Sequence, residues 1–332
     1  MSAGVVDVHT HYLPRELVGA LAARRELPRI SDGPGGTRVI EYGEGNVHPV
    51  LPAMGDVDLR LADMDRDGID LAVVGVNVPG VDWFPGADGP AVARAVNDEL
   101  AALVAAHPDR IAALATLPMQ VPEAAASELE RAAAAGFRGA MIYSNAAGTP
   151  LDAPELRVVF AAAAALDMPL FIHPTFPLSA ATVDAYALMP TLGFLVDTTT
   201  AVLRLVLGGL YERHPDLKLV LAHAGSLIPQ LVGRIDYEAA RMENGMGVLS
   251  EPPSEHLRRL YTDCVCVWPP ALRSTLAFLG PDRVMVGTDY PFWEPRLTLD
   301  TLTETGLSGE AAYAVRRGTA ERLFGLATAP AP

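Results

Sequence analysis

Lysine is almost absent from this sequence: of 25 basic residues in a chain of 332, only Lys218 is a lysine. Acidic residues number 40, so the formal net charge is −15 at pH 7. A chain of this sign repels the phosphates of nucleic acids and the surfaces of anionic membranes. We therefore expect neither nucleic acid nor membrane as a partner.

Cysteine and long apolar runs are also scarce. The two cysteines, Cys264 and Cys266, lie two positions apart in one apolar run, a spacing poorly suited to a structural disulfide, so we expect reduced thiols and a cytoplasmic protein. An apolar strand begins within four residues of the first methionine, which leaves no room for a signal peptide. Charged residues interrupt the alanine-rich runs, so we expect no uninterrupted apolar stretch of membrane-spanning length.

Apolar, strand-like runs alternate with amphipathic helical segments along the chain. The predicted strands span residues 4–11, 71–76, 111–117, 139–143, 170–173, 219–223, 260–265 and 284–289. Continuous apolar strands separated by helices are typical of a parallel sheet covered by helices, and eight such units close naturally into a (β/α)8 TIM barrel. A doubly wound open sheet is the alternative, but no glycine-rich fingerprint follows the first strand.

One polar segment, rich in glycine and proline, interrupts this rhythm between the first strand and its helix, at about residues 14–56. It contains the alternating run Thr37 to Tyr42, which is followed by Gly43-Glu44-Gly45-Asn46. This pattern predicts a small inserted hairpin. We therefore predict a single barrel domain over residues 1–332 that carries this insertion.

Residues that can bind a metal end four of the eight predicted strands. His9 and His11 end the first strand, His173 the fifth, His223 the sixth and Asp289 the eighth. Residues i and i+2 of a strand point to the same face, so the first two imidazoles can aim at one point. The carboxyl ends of barrel strands form the active face, and a metal ion would satisfy most of these polar groups together.

Five motifs resemble the amidohydrolase superfamily, and more closely its branch of aminocarboxymuconate-semialdehyde decarboxylase and related nonoxidative decarboxylases. They are Val6-Asp7-Val8-His9-Thr10-His11, Thr116-Leu117-Pro118-Met119-Gln120, Ile172-His173-Pro174, Ala222-His223-Ala224-Gly225 and Gly287-Thr288-Asp289-Tyr290-Pro291-Phe292. The resemblance implies one divalent ion, usually zinc with manganese as the alternative, bound by His9, His11, His173 and Asp289. It makes His223 the acid/base beside a metal-bound water. In a hydrolase, Asp289 or His223 would handle the proton of the leaving group.

The resemblance also suggests residues that contact the substrate. His48 falls where the semialdehyde decarboxylase has a carboxylate-binding arginine, and an imidazole is a weaker anion partner than a guanidinium. Arg234 matches an arginine that reaches the partner's site in a homodimer, which implies a homodimer here; an ordinary surface arginine is the alternative. The candidates for an aromatic wall are Trp83, Phe176, Phe292 and Trp293, for which packing at the loop bases is the alternative.

The scarcity of lysine limits the type of metal site. Dinuclear members of the superfamily bridge their metals with a carboxylated lysine on strand four, but this strand reads Met141-Ile142-Tyr143 and the one lysine precedes strand six. Composition therefore excludes a lysine-bridged dinuclear site.

The predicted function is metal-dependent, nonoxidative decarboxylation of a small hydroxylated aromatic or unsaturated carboxylic acid. A lactone or amide hydrolase, or a hydratase, would use the same residues and is the alternative. A barrel that serves only as a binding or scaffold protein is the third possibility. It ranks last because a site that has lost its catalytic role would normally have lost a metal ligand, and none of the predicted ligands is missing.

Overall fold

The computed structural model describes residues 4–43, 46–241 and 248–326. Its barrel strands are β1 (Val5–Tyr12), β2 (Ile69–Val76), β3 (Ile111–Ala113 and Ala115–Thr116), β4 (Ala140–Tyr143), β5 (Leu170–His173), β6 (Leu219–Leu221), β7 (Tyr261–Asp263) and β8 (Val284–Met285). Each pairs in parallel with the next, and the two pieces of β3 pair with β2 and β4 respectively.

Backbone hydrogen bonds connect the last strand to the first. The Val8 N–H donates to Val286 O at 2.9 Å, and the His11 N–H donates to Tyr290 O at 2.7 Å. These bonds extend the pairing beyond β8 and join the two edges of the sheet. The predicted (β/α)8 barrel is confirmed, and the carboxyl ends of its strands lie at one mouth.

Helices follow each barrel strand. They are Val57–Asp67, Asp88–Ala106, Pro122–Ala134, Arg157–Ala165, Phe194–Leu207, Ile228–Ala239, Pro269–Leu279 and Pro295–Glu304, with shorter helices at Arg15–Ala23, Leu210–Arg213, Pro253–Leu257, Gly309–Tyr313 and Thr319–Phe324. The first of the eight shows why they form where they do. Asp56 caps it by accepting from the Leu59 N–H at 3.0 Å, and Gly68 ends it in the left-handed conformation at φ 71°.

The amphipathic pattern of residues 199–213 predicts one helix. The observed helix begins earlier, at Phe194, and ends at Leu207, and Gly209, whose φ of 79° lies in the left-handed region, separates it from Leu210–Arg213. The pattern of residues 227–242 predicts another helix, which is observed as Ile228–Ala239, and Met242 lies outside the described residues.

The inserted segment is larger than the predicted hairpin. A helix, Arg15–Ala23, is followed by a three-stranded antiparallel sheet of Arg29–Asp32, Arg38–Gly43 and Asn46–Pro49, while Glu44 and Gly45 of the predicted turn lie outside the described residues. The hairpin prediction missed the first strand because it has only four residues and lies between Pro28 and Gly33. Its Arg29 pairs with Glu41 of the neighbouring strand, Nη2 to Oε2, at 2.9 Å.

Side chains inside the barrel divide it into an apolar floor and a polar mouth. The interior cluster takes one or two apolar residues from nearly every strand: Val6, Val8, Val73, Ala112, Leu114, Met141, Phe171, Val220, Ala222 and Met285. The C-terminal helix Thr319–Phe324 contributes Leu323 and Phe324 to the same cluster. Water is thereby excluded from the lower barrel, and the polar strand ends gather at the opposite end.

One helical stretch among the described residues, Met189–Leu207, is long and apolar enough to cross a membrane by length and composition, with a mean hydropathy of 1.3. Of its most apolar window, 44% is buried inside the structure. Its Asp197 accepts hydrogen bonds from Ser144 and, at 3.0 Å, from Asn145, so the stretch is bonded to the loop after β4. Cys264 and Cys266 are both free thiols, as predicted.

Candidate metal centre

Five side chains from four parts of the chain converge at the mouth of the barrel. His9 and His11 lie on β1, His173 ends β5, and His223 and Asp289 follow β6 and β8. One ligand atom each of His9, His173, His223 and Asp289 lies within 4.8 Å of the other three. His11 Nε2 lies 3.2 Å from His9 Nε2 and 3.0 Å from Asp289 Oδ1.

Four of the distances between these atoms, from 3.0 to 3.5 Å, are close to those expected for ligands of one ion. Nitrogen or oxygen atoms bound to a tetrahedral zinc ion at about 2.1 Å lie about 3.4 Å from one another. Asp289 Oδ1 lies 3.5 Å from His9 Nε2, and Asp289 Oδ2 lies 3.5 Å from His223 Nε2. The cluster therefore fits a single divalent ion. The one lysine is bound elsewhere, since Lys218 Nζ pairs with Asp167 Oδ2 at 2.7 Å.

Hydrogen bonds at the far side of two imidazoles aim their free nitrogens into the cluster. His9 Nδ1 lies 2.6 Å from Asp263 Oδ2, and His173 Nδ1 lies 2.7 Å from Pro174 O. Both acceptors require a proton on Nδ1, which leaves Nε2 as a lone-pair donor. His173 Nε2 is buried and has no hydrogen-bond partner within the described part of the chain. A metal ion bound here would supply the partner that this nitrogen lacks.

Electrostatics favour a cation at the same point. Burial lowers the pKa of His173 well below its usual value, and the neighbouring imidazoles lower it further. Burial opposes the charged form of His9, but Asp263 and Asp289 outweigh it and raise the pKa of this imidazole. Burial alone would raise the pKa of Asp289, yet His9 and the hydrogen bond with His11 hold it well below its usual range. The site thus combines an ionised carboxylate with a neutral imidazole, the protonation states that metal binding requires.

Asp263, at the end of β7, organises the cluster, although the sequence analysis did not select it. Its carboxylate is fully buried and accepts from His9 Nδ1 and from the backbone N–H groups of His223 (3.0 Å), Ala224 (2.9 Å) and Val265 (2.9 Å). It therefore fixes the orientation of one predicted ligand and the backbone of the predicted acid/base. Its position at a strand end, like that of the other site residues, was the available signal.

Asp7 is a second residue that the sequence analysis missed. Its carboxylate accepts from the His9 N–H at 3.1 Å and from the N–H and hydroxyl of Thr288 at 3.1 and 2.6 Å. Burial raises its pKa to about 6, although these hydrogen bonds oppose the rise. Asp7 thereby ties β1 to the segment that carries Asp289.

The backbone at the site is itself specialised. His223 and Asp289 both have φ of 59°, in the left-handed region that residues other than glycine rarely occupy. A Cβ at Gly287 would lie 2.7 Å from the Cβ atoms of His9 and Asp263, so a residue without a side chain is needed where these strands approach.

Comparison with known proteins places this arrangement in a family. A family model described as Amidohydrolase matches residues 6–326. The chain belongs to the amidohydrolase family. It is 33% identical over 297 residues to gamma-resorcylate decarboxylase of Rhodococcus jostii, covering 81% of this chain and 87% of that protein. It is 31% identical over 240 residues to 2-amino-3-carboxymuconate-6-semialdehyde decarboxylase of Dictyostelium discoideum, covering 71% and 67%.

A solved structure extends the similarity to a metal-containing relative. The dihydroxybenzoic acid decarboxylase of Polaromonas sp. JS666, with bound manganese and the inhibitor 2-nitroresorcinol, aligns with a TM-score of 0.83 at 27% identity, covering 99% of this chain and 98% of that chain. The predicted family branch is confirmed, and so is the prediction of a carboxy-lyase, because these relatives are decarboxylases.

One predicted substrate contact of this amidohydrolase, Phe292, lies beside the cluster of histidines and Asp289, and a second, His48, lies beside Phe292. The Phe292 ring is centred 5.6 Å from the His11 ring and 6.4 Å from the His48 ring. The inserted sheet holds His48 there, in register with Ile40 and with its ring 5.6 Å from that of Tyr42. Burial lowers the pKa of His48, so this imidazole is a neutral hydrogen-bonding group at the edge of the site.

Among the described residues, the rings of the other predicted substrate contacts, Trp83, Phe176 and Trp293, make no ring contact with the histidines of the cluster. Trp83 and Phe176 are half-buried, and their carbonyl oxygens accept from Arg24 Nη1 (2.7 Å) and Asn145 Nδ2 (3.1 Å). Trp293 is half-buried, and its N–H approaches Asp289 O at 3.4 Å. Arg234 is exposed on the helix Ile228–Ala239. Their roles in substrate binding stay predictions.

Proposed function

We propose that this amidohydrolase is a metal-dependent, nonoxidative decarboxylase of a small hydroxylated aromatic or unsaturated carboxylic acid. The observation that carries the proposal is the buried His173 Nε2, which has no protein partner in the described structure and lies among an ionised Asp289 and the three further imidazoles of His9, His11 and His223. Similarity to decarboxylases of resorcylate and dihydroxybenzoate supports the reaction and the aromatic substrate class.

One divalent ion held by His9, His11, His173 and Asp289 would supply positive charge that stabilises the anionic substrate and the charge developing on it. Zinc is the ion that the family resemblance implies, and manganese is present in a related structure. The donor set, three imidazoles and one carboxylate without thiolate, suits both ions.

His223 would act as the acid in the chemical step. We propose that it delivers a proton to the carbon that bears the carboxylate, that the bond from this carbon to the carboxylate breaks, and that its electron pair restores the unsaturated system as carbon dioxide leaves. Its Nε2 lies at the metal cluster, 3.5 Å from Asp289 Oδ2, and its backbone is fixed by Asp263. Asp289, which is held ionised, would orient this imidazole across the same atom pair, and water would return the proton to His223 after carbon dioxide leaves.

The wall beside the cluster would orient the substrate. Phe292 offers an aromatic face next to His11. His48 offers a neutral hydrogen bond to a polar substituent away from the reacting carboxylate. Trp83, Phe176 and Trp293 are the remaining candidates for this wall.

A product analysis tests the reaction type. The metal-loaded protein is incubated with hydroxybenzoates, dienoic acids and lactones, and the products are analysed by mass spectrometry. We expect loss of carbon dioxide from at least one hydroxylated aromatic acid. Gain or loss of water without loss of carbon dioxide would instead make the protein a hydrolase or hydratase that uses the same residues.

We further propose a cytoplasmic homodimer in which Arg234 reaches the partner's site. The exposure of Arg234 leaves it available for such a contact. Light scattering at micromolar concentration should report a dimer. A monomer at every concentration would remove both the dimer and the role of Arg234 in the partner's site.

A further inference from the structure

Arg60 is a buried cation that contacts the backbone and side chains of β1 next to the candidate metal ligands. It lies on the helix Val57–Asp67, and only 1% of its surface is exposed. Its Nη1 donates to Thr10 Oγ1 at 2.6 Å, and its Nη2 donates to His11 O. The guanidinium therefore binds the stretch of β1 that carries the predicted metal ligand His11.

The same guanidinium packs against the segment that carries Asp289. Its central carbon lies 4.9 Å from the centre of the Tyr290 ring, and Tyr290 follows Asp289 in the chain. Tyr290 O accepts from Thr10 Oγ1 at 3.3 Å and from the His11 N–H at 2.7 Å. Arg60 thus touches both chain segments whose side chains meet at the 3.0 Å contact of His11 Nε2 with Asp289 Oδ1.

An arginine is a costly residue at this position. Within the described ranges no carboxylate forms an ion pair with Arg60, and its buried Nε has no hydrogen-bond partner. A methionine of similar length would fill the space without removing a charge from water. What the guanidinium provides and a hydrocarbon cannot is a planar pair of donors, and both donors are used on Thr10 and His11.

We propose that Arg60 is a positioning residue of the metal centre. It holds β1 against the Tyr290 segment so that His11 and Asp289 keep the spacing at which both bind one ion. Replacement of the Arg60 guanidinium should move His11 and Asp289 apart and leave the apolar residues in the lower barrel unchanged.

The test measures metal affinity in Arg60→Met and Arg60→Lys, with Zn²⁺ alone as the probe and a chelating dye as competitor. Loss of a group that orients metal ligands weakens binding by about 10- to 100-fold, which we expect for Arg60→Met. We expect a smaller loss for Arg60→Lys, which keeps the charge but not the paired donors. Thermal unfolding of the metal-free proteins is recorded in parallel.

Arg296→Met is the matched control. Arg296 also joins the helix Val57–Asp67 to the segment after β8, but at the surface, through Asp67 Oδ1 at 3.2 Å and Arg66 O at 2.9 Å. We expect its zinc affinity to stay within twofold of the unaltered protein. Equal zinc affinity in Arg60→Met and the unaltered protein would overturn the proposal, as would equal weakening by Arg296→Met.

Thr10→Val decides the matter if Arg60→Met does not fold. This substitution removes one acceptor of the guanidinium, together with the hydrogen bond from Thr10 Oγ1 to Tyr290 O, and it keeps the charge of Arg60 and the side-chain volume at position 10. A severalfold loss of zinc affinity, with metal-free melting unchanged, is the expected result. An unchanged affinity in a folded Thr10→Val protein would overturn the proposal.

Discussion

The variant His173→Ala is expected to lose its metal and to be inactive, whereas His223→Ala should keep the metal and still be nearly inactive. His173 offers a buried, neutral Nε2 that has no hydrogen-bond partner in the described structure, so its removal would delete a metal ligand. His223 is assigned the proton transfer, and removal of a general acid costs about 10²- to 10⁴-fold in rate. Metal content by elemental analysis and turnover by carbon dioxide release measure the two effects separately.

The comparison of these two variants also tests the roles themselves. The ligand atom of His223 lies within 4.8 Å of those of His9, His173 and Asp289, so geometry permits it to bind the ion. Equal metal loss in both variants would make His223 a ligand and remove its assignment as the acid. His107→Ala is the control, since His107 caps the helix Asp88–Ala106 and should leave metal and activity unchanged.

Asp263→Asn is expected to give the second largest effect, although Asp263 is not a predicted ligand. The carboxylate accepts from His9 Nδ1 and from three backbone N–H groups, and an amide can offer only one acceptor oxygen to these donors. We expect metal affinity to fall by about 10- to 100-fold, as is usual when the partner of a metal-binding histidine is lost. Unsatisfied buried donors should also lower the free energy of unfolding of the metal-free protein by about 1–3 kcal/mol.

Metal titration and chemical denaturation of Asp263→Asn measure these two effects. The exposed Asp109→Asn provides a control with the same chemical change away from the site. Zinc affinity that equals that of the control would show that Asp263 does not orient His9. A loss of affinity without any loss of stability would confine its role to the metal centre.

The barrel and its metal cluster were predictable because both depend on patterns local in the sequence. Each strand is a short apolar run, and His9, His11, His173, His223 and Asp289 lie within or immediately after such runs. In a parallel barrel all of these ends meet at one mouth, so local positions determine a three-dimensional cluster. The helix Val57–Asp67 likewise has local signals at its ends, since Asp56 is a residue type that caps helix starts and Gly68 one that ends helices.

The roles of the supporting residues were not predictable because they depend on partners far away in the chain, although its strand-end position made Asp263 a candidate for the site. Asp263 is 254 positions from His9, and Arg60 is separated by 230 positions from Tyr290, whose ring it contacts. Nothing beside either residue in the sequence indicates such a partner. The first strand of the inserted sheet was missed for a related reason, since its four residues form a strand only by pairing with Arg38–Gly43.

The most direct test of a metal-dependent decarboxylase is a metal titration of carbon dioxide release under nitrogen. The metal-free protein is given an accepted hydroxylated aromatic acid and increasing Zn²⁺ or, in parallel, Mn²⁺. We predict no release without metal and a rise that ends at one ion per chain, with no requirement for oxygen. Release at full rate from the metal-free protein, or a second ion needed for activity, would contradict the single-ion centre built by His9, His11, His173 and Asp289.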